Sequence, residues 1–254
     1  MRVSYERRGR GGPLLLLMGI GATRHWWSPA FLDRLACGRE LILCEHRGVA
    51  GGDEVTEPFS IAELAADAAE LLGDLGIGRT DVFGVSLGGL VAQELTIAQP
   101  GLVRRLILGC TSAFPPGRPL VKMLTALLQT GDADRFYASF MPSFVSDRFL
   151  ADEASRGLLR EVVAQHRVPL ALVALQLQAA MGHDASTSLP LVCTPTLVIH
   201  GTEDRVVPYA SASRLVERIP DARLETLEEV GHAFFWEAPE RAADTICSFL
   251  DGSP

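Results

Sequence analysis

Six short apolar runs alternate with longer amphipathic segments along the chain, at residues 14–18, 40–44, 80–85, 105–110, 196–200 and 223–227. Most of these runs are continuously apolar, which is typical of strands that are covered on both faces of a parallel sheet. The run at 223–227 mixes in polar residues and predicts an edge strand, and one further strand is expected before residue 14. The pattern therefore predicts a mostly parallel sheet.

Amphipathic helices are predicted between the strands. Ser60 and Glu63 form a capping-box pattern, in which hydroxyl and carboxylate satisfy free N–H groups of a first helical turn. Apolar residues then follow one helical face until Gly76, at positions 61, 64, 65, 68, 71, 72 and 75. Pro239 opens another helix, with an inner face at 242, 246, 249 and 250. The repeated strand-then-helix order predicts an α/β fold with a doubly wound sheet.

The alternation breaks between residues 112 and 193. This stretch has helical patterns at 120–129, 132–140, 151–166 and 170–181 and no clear strand run. Helices inserted between two strands of one sheet would form a lid over the strand ends. We therefore expect a single domain over residues 1–254, with a helical cap at 112–193 inserted in it.

Composition and charge restrict the class of partner. The chain has 254 residues, of which 48% are hydrophobic and 21% charged, which is ordinary for a globular protein and excludes a disordered or low-complexity scaffold. The net charge is −8 and there is no Lys/Arg-rich block, whereas nucleic-acid binding needs a basic face. We expect a small-molecule substrate, no nucleic acid or membrane partner, and a monomer or homodimer.

Cysteine usage indicates a reducing compartment. The five cysteines are odd in number and none form a C-x-x-C pair, so a disulfide framework is not expected. The first residues lack the hydrophobic stretch of a signal peptide, and no apolar run approaches the ~20 residues of a membrane helix. These observations predict a soluble cytoplasmic protein.

The sharpest chemical motif is a G-x-S-x-G sequence from Gly84 to Gly88. It follows a predicted strand and precedes a predicted helix, which is the setting of a nucleophile elbow. The two glycines allow the sharp turn, and Ser86 is then presented at the carboxyl edge of the sheet. The N-terminus of the following helix supplies free N–H groups and positive potential for a developing oxyanion.

A serine nucleophile needs a base and an orienting carboxylate, and both are found after later strands. Asp204 follows the run at 196–200, and His232 follows the run at 223–227. The carboxyl ends of parallel strands meet at one edge of the sheet, so we expect the three groups to converge. Glu203 neighbours Asp204 and is an alternative acid.

With these blocks the sequence resembles the α/β-hydrolase superfamily, and more narrowly its small esterase, lactonase and C–C hydrolase branch, which includes 3-oxoadipate enol-lactonase. The resemblance rests on residues 14–21, 45–48, 84–89, 200–208 and 231–240. It implies that Ser86 is the nucleophile, that His232 is the general base and then acid, and that Asp204 orients the histidine. It also implies an oxyanion hole at the backbone N–H groups of Ile20 and Leu87.

Two blocks depart from the family pattern. A His-Gly pair is usual where Met18 and Gly19 stand here, so a repacked loop is expected rather than lost catalysis. The usual Asp-x-Arg-Gly-x-Gly-x-Ser block reads Glu-His-Arg-Gly-Val-Ala-Gly-Gly at 45–52, which is expected to reshape the entrance. The glycine-rich start of the loop at 19–21 lacks the third glycine of a dinucleotide site, so no cofactor is implied.

The remaining candidates have structural and functional interpretations. The aromatic residues of 136–149 are expected to pack between cap and sheet, with the alternative that some line a pocket, and residues 234–236 are a further candidate wall. His25 is expected at a rim with a structural role, the alternative being a substrate contact. His46, His166 and His183 show no metal-ligand spacing, so we expect solvated side chains and no metal.

The resemblance implies cofactor-independent hydrolysis of a carboxylic ester or lactone of a small, largely apolar substrate through an acyl-enzyme. The same triad would serve C–C bond hydrolysis, acyl transfer, or elimination and dehydration in a biosynthetic pathway. A non-catalytic ligand-binding protein is the remaining alternative.

Overall fold

The computed structural model describes residues 2–51 and 53–252 and contains one seven-stranded sheet. The strands are β1 Tyr5–Gly9, β2 Gly12–Leu17, β3 Arg39–Cys44, β4 Thr80–Val85, β5 Val103–Gly109, β6 Thr196–Gly201 and β7 Ala222–Leu227. Their order in the sheet is β1-β3-β2-β4-β5-β6-β7. The β1 strand pairs antiparallel with β3, and every other neighbouring pair is parallel.

The predicted fold class is confirmed, because the sheet is mostly parallel and reverses its strand order around β2. Each of the six predicted strands is present, with boundaries that move by at most two residues. The expected extra strand is β1, and β7 lies at the other edge, where Leu227 is the one buried residue of the strand. The inner strands β4 and β6 are buried along their whole length, as residues covered on both faces must be.

The described residues form eleven α-helices: α1 Pro29–Leu35, α2 Ile61–Asp74, α3 Leu87–Ala98, α4 Arg118–Leu128, α5 Ala133–Phe140, α6 Asp147–Ala151, α7 Glu153–Gln165, α8 Leu170–Met181, α9 Ala210–Val216, α10 Phe234–Glu237 and α11 Pro239–Leu250. The segment between β5 and β6 contains α4 to α8, which include the four helical patterns predicted there. We call α4 to α8 the inserted helices. Their interpretation as a cap stays a prediction.

The start of α2 shows the predicted capping box. The Ser60 side chain accepts a hydrogen bond from the Glu63 N–H at 3.2 Å, and Glu63 Oε2 accepts from the Ser60 N–H at 2.9 Å. Two of the helix's free N–H groups are thereby satisfied, so the helix begins sharply at Ile61.

An aromatic cluster fills the core between the sheet and α1. Phe83 of β4 has ring centroids at 5.3 Å from Trp27, 5.9 Å from Phe31 and 6.3 Å from Phe234. Phe234 and Phe235 are both buried in this cluster, so the expectation that residues 234–236 wall the pocket is wrong for these two rings. The helix α10 turns their side chains toward the core because they must bury their large apolar area.

None of the helices in the part of the chain that the structure describes combines the length and the apolar character needed to cross a bilayer.

We predict that Phe83→Ala lowers the free energy of unfolding by about 3–5 kcal/mol, because it leaves a cavity among rings that cannot collapse into it. Leu191→Ala is the control, since Leu191 is 79% exposed, and its effect should stay within about 0.5 kcal/mol. Urea denaturation followed by circular dichroism measures both values. Equal effects of the two substitutions would contradict this account of the core.

Candidate active site

Ser86 lies at a strained turn between β4 and α3. Its φ of 56° and ψ of −118° put a non-glycine residue in a sparsely populated region of backbone space. The glycines on either side are required by close packing. A Cβ on Gly84 would approach the Gly88 carbonyl oxygen to 2.1 Å, and one on Gly88 would approach the Leu17 carbonyl oxygen to 2.1 Å. The turn therefore holds Ser86 at the carboxyl edge of the sheet.

Asp204 and His232 form a buried hydrogen-bonded pair at the same edge. Asp204 follows β6 and His232 follows β7, and His232 Nδ1 lies 2.7 Å from Asp204 Oδ2. A carboxylate oxygen accepts, so Nδ1 carries the proton and donates it to this bond. In the neutral imidazole, Nε2 is then the unprotonated nitrogen, which is the tautomer that a general base requires.

Further donors surround the carboxylate of Asp204. Its Oδ1 accepts from the N–H groups of Val206 and Val207, each at 2.8 Å, and its Oδ2 lies 3.2 Å from His200 Nε2. Burial alone would raise the pKa of Asp204. Charge interactions with His232 and hydrogen bonds from His200 and His232 outweigh it and hold the pKa of Asp204 well below its usual range. The group is therefore a carboxylate at neutral pH.

The third contact of the expected triad is not formed. Thr111 donates to the backbone oxygen of Ser86 at 2.7 Å, but the Oγ of Ser86 makes no hydrogen bond to any residue in 2–51 or 53–252. His232 is 2% exposed and is covered by the ring of Phe144, whose centroid is 5.3 Å away. The structure thus joins Asp204 to His232 and places Ser86 at the same edge without a bond to the imidazole. The catalytic assignment of the three residues stays a prediction.

Ser86 opens onto a cavity of about 220 Å³ between the sheet edge and the inserted helices. Most of its lining side chains are apolar, among them Leu90, Leu124, Phe140 and Leu177. Phe140 is thus the aromatic residue of α5 that lines the cavity, whereas Phe136 is buried in the core, as we expected for most of these rings. A site of this kind suits a small ligand with an apolar body.

Ile20 and Leu87, the predicted oxyanion donors, both line this cavity. Leu87 is the first residue of α3, where an N–H has no partner within the helix. Neither N–H donates a backbone hydrogen bond to another described residue. The loop before Ile20 also approaches the serine closely, since a Cβ on Gly19 would lie 3.2 Å from the Ser86 Cβ. Two free N–H groups thus lie beside the candidate nucleophile.

Residues after β3 hold both ends of the loop that carries Ile20. His46 Nε2 lies 2.8 Å from the Met18 carbonyl oxygen, before the loop. Glu45 accepts from the Arg24 N–H at 2.9 Å and from Arg24 Nη1 at 3.0 Å, after the loop. Met18 and Glu45, where the sequence departs from the family pattern, therefore both take part in the hydrogen bonds that hold this loop.

The inserted helices hold the middle of the same loop. The Gly21 N–H donates to Gln176 Oε1 at 2.8 Å, and the Tyr137 hydroxyl donates to the Gly21 carbonyl oxygen at 2.9 Å. Gln176 is fully buried in α8, and burial raises the pKa of Tyr137 to about 12. Sequence analysis missed Gln176 and considered Tyr137 only as one of the aromatic residues of 136–149. The signal was a pair of polar residues, Gln176 and Gln178, on an otherwise apolar helix, and Gln176 is the buried one of the two.

A half-buried carboxylate also fixes the loop of His232. Glu237 accepts from the Gly231 N–H at 2.9 Å and from the Ser146 N–H at 3.1 Å. Burial raises the pKa of Glu237, against the hydrogen bonds from Ser146 and Gly231 that lower it. On the other side of His232, the Ala233 N–H donates to the Phe144 carbonyl oxygen at 2.7 Å. The imidazole is therefore held through the residues before and after it.

Other sequence candidates lie away from this arrangement. Glu203 is exposed, and it is Asp204 that bonds to His232. His25 is exposed and stacks on His166 at 4.1 Å between ring centroids, which agrees with a rim position. The expectation of solvated side chains is wrong for His46 and His183, which are buried. His46 is buried because it satisfies the carbonyl oxygen at the start of the loop.

One group of potential metal-ligating atoms occurs among the described residues. Atoms of Cys110, His200 and Asp204 lie within 4.8 Å of one another, and all three side chains are buried. His200 Nε2 lies 2.9 Å from the Val207 carbonyl oxygen, so this nitrogen carries a proton and is a donor. Burial raises the pKa of the Cys110 thiol well above its usual value, and Asp204 raises it further. A protonated thiol and a donor nitrogen do not fit a metal, because metal ligands must be deprotonated.

Comparison with known proteins agrees with the resemblance in the sequence. The profile described as the alpha/beta hydrolase family matches residues 14–245. The poly(3-hydroxyalkanoate) depolymerase of Ectopseudomonas oleovorans is 29% identical over 94% of this chain and 84% of that protein. A protein of Azorhizobium caulinodans, named provisionally as a carbamate hydrolase, is 28% identical over 96% of this chain and 93% of its own.

Solved structures show the same architecture. The enol-lactonase of Burkholderia xenovorans LB400 superposes with a TM-score of 0.90 at 21% identity, covering 98% of this chain and 96% of that one. This likeness concerns the fold. Since the family profile spans most of the sequence and the sheet has the matching architecture, the chain belongs to the alpha/beta hydrolase family.

Proposed function

We propose that this hydrolase cleaves a carboxylic ester or lactone of a small, largely apolar substrate through an acyl-enzyme on Ser86. The observation that carries the proposal is the buried bond of 2.7 Å between His232 and Asp204, at the sheet edge where Ser86 turns into a cavity. Relatives named as a carbamate hydrolase and as a poly(3-hydroxyalkanoate) depolymerase support the general class of reaction.

In the first step, the unprotonated Nε2 of His232 takes the proton of the Ser86 hydroxyl as Oγ attacks the substrate carbonyl carbon. The bond to Asp204 favours this step because the carboxylate stabilises the imidazolium that forms. The hydroxyl of Ser86 makes no competing bond and is free to rotate about χ1 toward the imidazole. Catalytic hydrogen bonds often tighten only when substrate is bound.

The carbonyl oxygen becomes an oxyanion, for which the N–H groups of Ile20 and Leu87 are the proposed donors. Each such donor typically contributes ~3 kcal/mol in the transition state. The positive end of α3 adds to this stabilisation. The imidazolium of His232 then gives its proton to the leaving alkoxide, and the acyl group remains on Ser86.

Deacylation uses the same residues. His232 removes a proton from a water molecule, the resulting hydroxide attacks the acyl carbon, and the proton passes to Ser86 Oγ as it leaves. Water is the sole co-reactant, so these steps balance without a cofactor or metal. A lactone would follow the same path, with the leaving oxygen retained in the product.

Other reactions would use the same groups, and they differ in the intermediate. Rapid quenching of a reaction with excess substrate traps an acyl group on Ser86 if ester, lactone or carbamate chemistry operates. Product formed without an acyl-enzyme would favour elimination. Turnover at background level on an ester, lactone and carbamate panel, together with tight ligand binding, would indicate the non-catalytic alternative.

We predict that Ser86→Ala lowers kcat by about 10⁴-fold or more, because the attacking oxygen is lost. The free energy of unfolding should change by no more than about 1 kcal/mol, since the change removes one half-buried hydroxyl. A fluorophosphonate probe with peptide mapping should label Ser86 in the wild type and in Ser213→Ala, whose serine lies on α9 outside the cavity. Activity retained by Ser86→Ala would remove this residue from the mechanism.

We predict that His232→Ala and Asp204→Asn each lower kcat by about 10³-fold or more while changing the Kd of a substrate analogue by only a few-fold. The reason is that both residues act on the proton transfer and neither lines the cavity. His25→Ala is the matched control, and its kcat should stay within about twofold of the wild type. A His232 variant that changes affinity alone would contradict the assignment of the base.

The anchor of the proposed oxyanion loop is expected to titrate near neutral pH. Burial raises the pKa of Glu45 to about 7, against the hydrogen bonds from Arg24 that lower it. The unfolded carboxyl has a pKa of about 4.3, so the folded state binds more protons between these two values. Stability contributed at Glu45 is therefore present at low pH and is lost as pH rises through this range.

We predict that the wild type loses roughly 2 kcal/mol of unfolding free energy relative to Glu45→Gln between pH 5 and pH 8. The amide of the variant does not titrate, so its unfolding free energy lacks the pH-dependent contribution of Glu45. Urea denaturation of both proteins at several pH values gives the difference directly. A difference that stays constant over the range would show that Glu45 does not ionise in it.

A further inference from the structure

Arg214 is a cationic side chain on the wall of the cavity that contains Ser86. It lies in the last turn of α9 and lines the cavity. Ser86 lines the same cavity from a different element, the turn before α3. Arg205, just before this helix, pairs with Asp147 at 2.8 Å, whereas no acidic group of a described residue pairs with Arg214 within 4.0 Å. Arg214 also makes no hydrogen bond to a described residue, so its donors are available to a ligand.

The ring of Phe114 holds Arg214 against the cavity. The Arg214 Cζ lies 5.9 Å from the centroid of Phe114, and Phe114 itself lines the cavity. The Arg218 Cζ lies 5.1 Å from the same ring, but Arg218 is not part of the cavity wall. Two guanidinium groups on one ring repel each other, which an anion next to Arg214 would relieve.

The carboxylate of Asp184 interacts with the positive charge of Arg218. Hydrogen bonds from Ser186 lower the pKa of Asp184, and the charges of His183 and Arg218 lower it further. Most of the cavity wall is apolar, with Val207, Pro208 and Leu120 among its members. A protein with net charge −8 repels anions in general, so an anionic substrate would need a local cation of this kind.

We infer that Arg214 determines specificity by binding a carboxylate on the substrate, remote from the carbonyl that Ser86 attacks. The substrate class is thus an ester or lactone that carries a second, free carboxylate at the end of an apolar chain. This inference rests on the proposed function, because it assumes that the reacting carbonyl lies at Ser86.

A carboxylate fits this place better than a more highly charged group. A guanidinium presents two parallel N–H donors that match the two oxygens of a carboxylate. The cavity wall contains one charged side chain among the described residues, Arg214 itself, which suits one negative charge. The cavity of about 220 Å³ also limits the chain that joins the two functional groups.

The test compares two substrates that differ at one end. One is the p-nitrophenyl monoester of adipic acid, with a free carboxylate, and the other is the same compound with that carboxylate capped as a methyl ester. In the wild type, kcat/KM should be roughly tenfold higher for the free carboxylate, a modest value because Arg214 is exposed. The preference should shrink as NaCl is raised, because salt screens exposed charges.

Substitutions separate Arg214 from its neighbour. Arg214→Gln should bring the ratio of the two kcat/KM values to about one and leave the capped substrate within about twofold of the wild type. Arg214→Lys should retain part of the preference. Arg218→Gln is the matched control, since it removes a cation from the same ring outside the cavity, and the ratio should stay within about twofold. No preference in the wild type, or equal losses on both substrates in Arg214→Gln, would overturn the inference.

A binding measurement distinguishes this failure from failure of the proposed function. If the wild type hydrolyses neither ester and Ser86 is not labelled by a fluorophosphonate, the ester hydrolase proposal fails. Calorimetric binding of monomethyl adipate to Ser86→Ala, with and without Arg214→Gln, then decides the role of Arg214. Binding that weakens about tenfold in the double variant supports the inference, and equal or undetectable binding in both overturns it.

Discussion

A buried carboxylate is stable in a protein only when hydrogen-bond donors replace its water shell, and the candidate site is built around one such group. The two oxygens of Asp204 accept from two backbone N–H groups, from His200 and from His232, which matches the capacity of a carboxylate. These donors come from β6, from the loop after it and from the loop after β7. The pairing of the two strands is thus directly linked to the orientation of the imidazole.

The elements nearest the sheet were predictable because their determinants are local or periodic. The strand β4, the turn at Ser86 and the capping box at Ser60 are each specified by neighbouring residues, and the order of serine, acid and histidine follows from strand order. The contacts that hold the loop of Ile20 were not predictable. They join residues far apart in the chain, such as Gly21 and Gln176, and no local pattern records such a pair. The exposure of His46 was also predicted wrongly. Its side chain is buried where it meets the carbonyl oxygen of Met18, a residue distant in sequence.

The predicted roles of Phe234 and Phe235 illustrate the same limit. Their position beside His232 in the sequence indicated a pocket wall, but a helical turn directs both rings into the core around Phe83. Proximity along the chain therefore indicated correctly that these residues lie near the site. It did not indicate that their side chains point away from the cavity and into the core. Conversely, Phe144 lies far from His232 in sequence and covers it in the fold.

The inserted helices contact the site at three separate points. Gln176 and Tyr137 bond to the loop of Ile20, and the backbone of 144–146 bonds to the segment that carries His232. Buried polar groups that lose such partners carry the full cost of desolvation. These helices are therefore not an interchangeable module. A chimaera that carries the corresponding segment of a relative would have to conserve these bonding partners, or its hydrolytic machinery would lose its alignment even if the graft folded well.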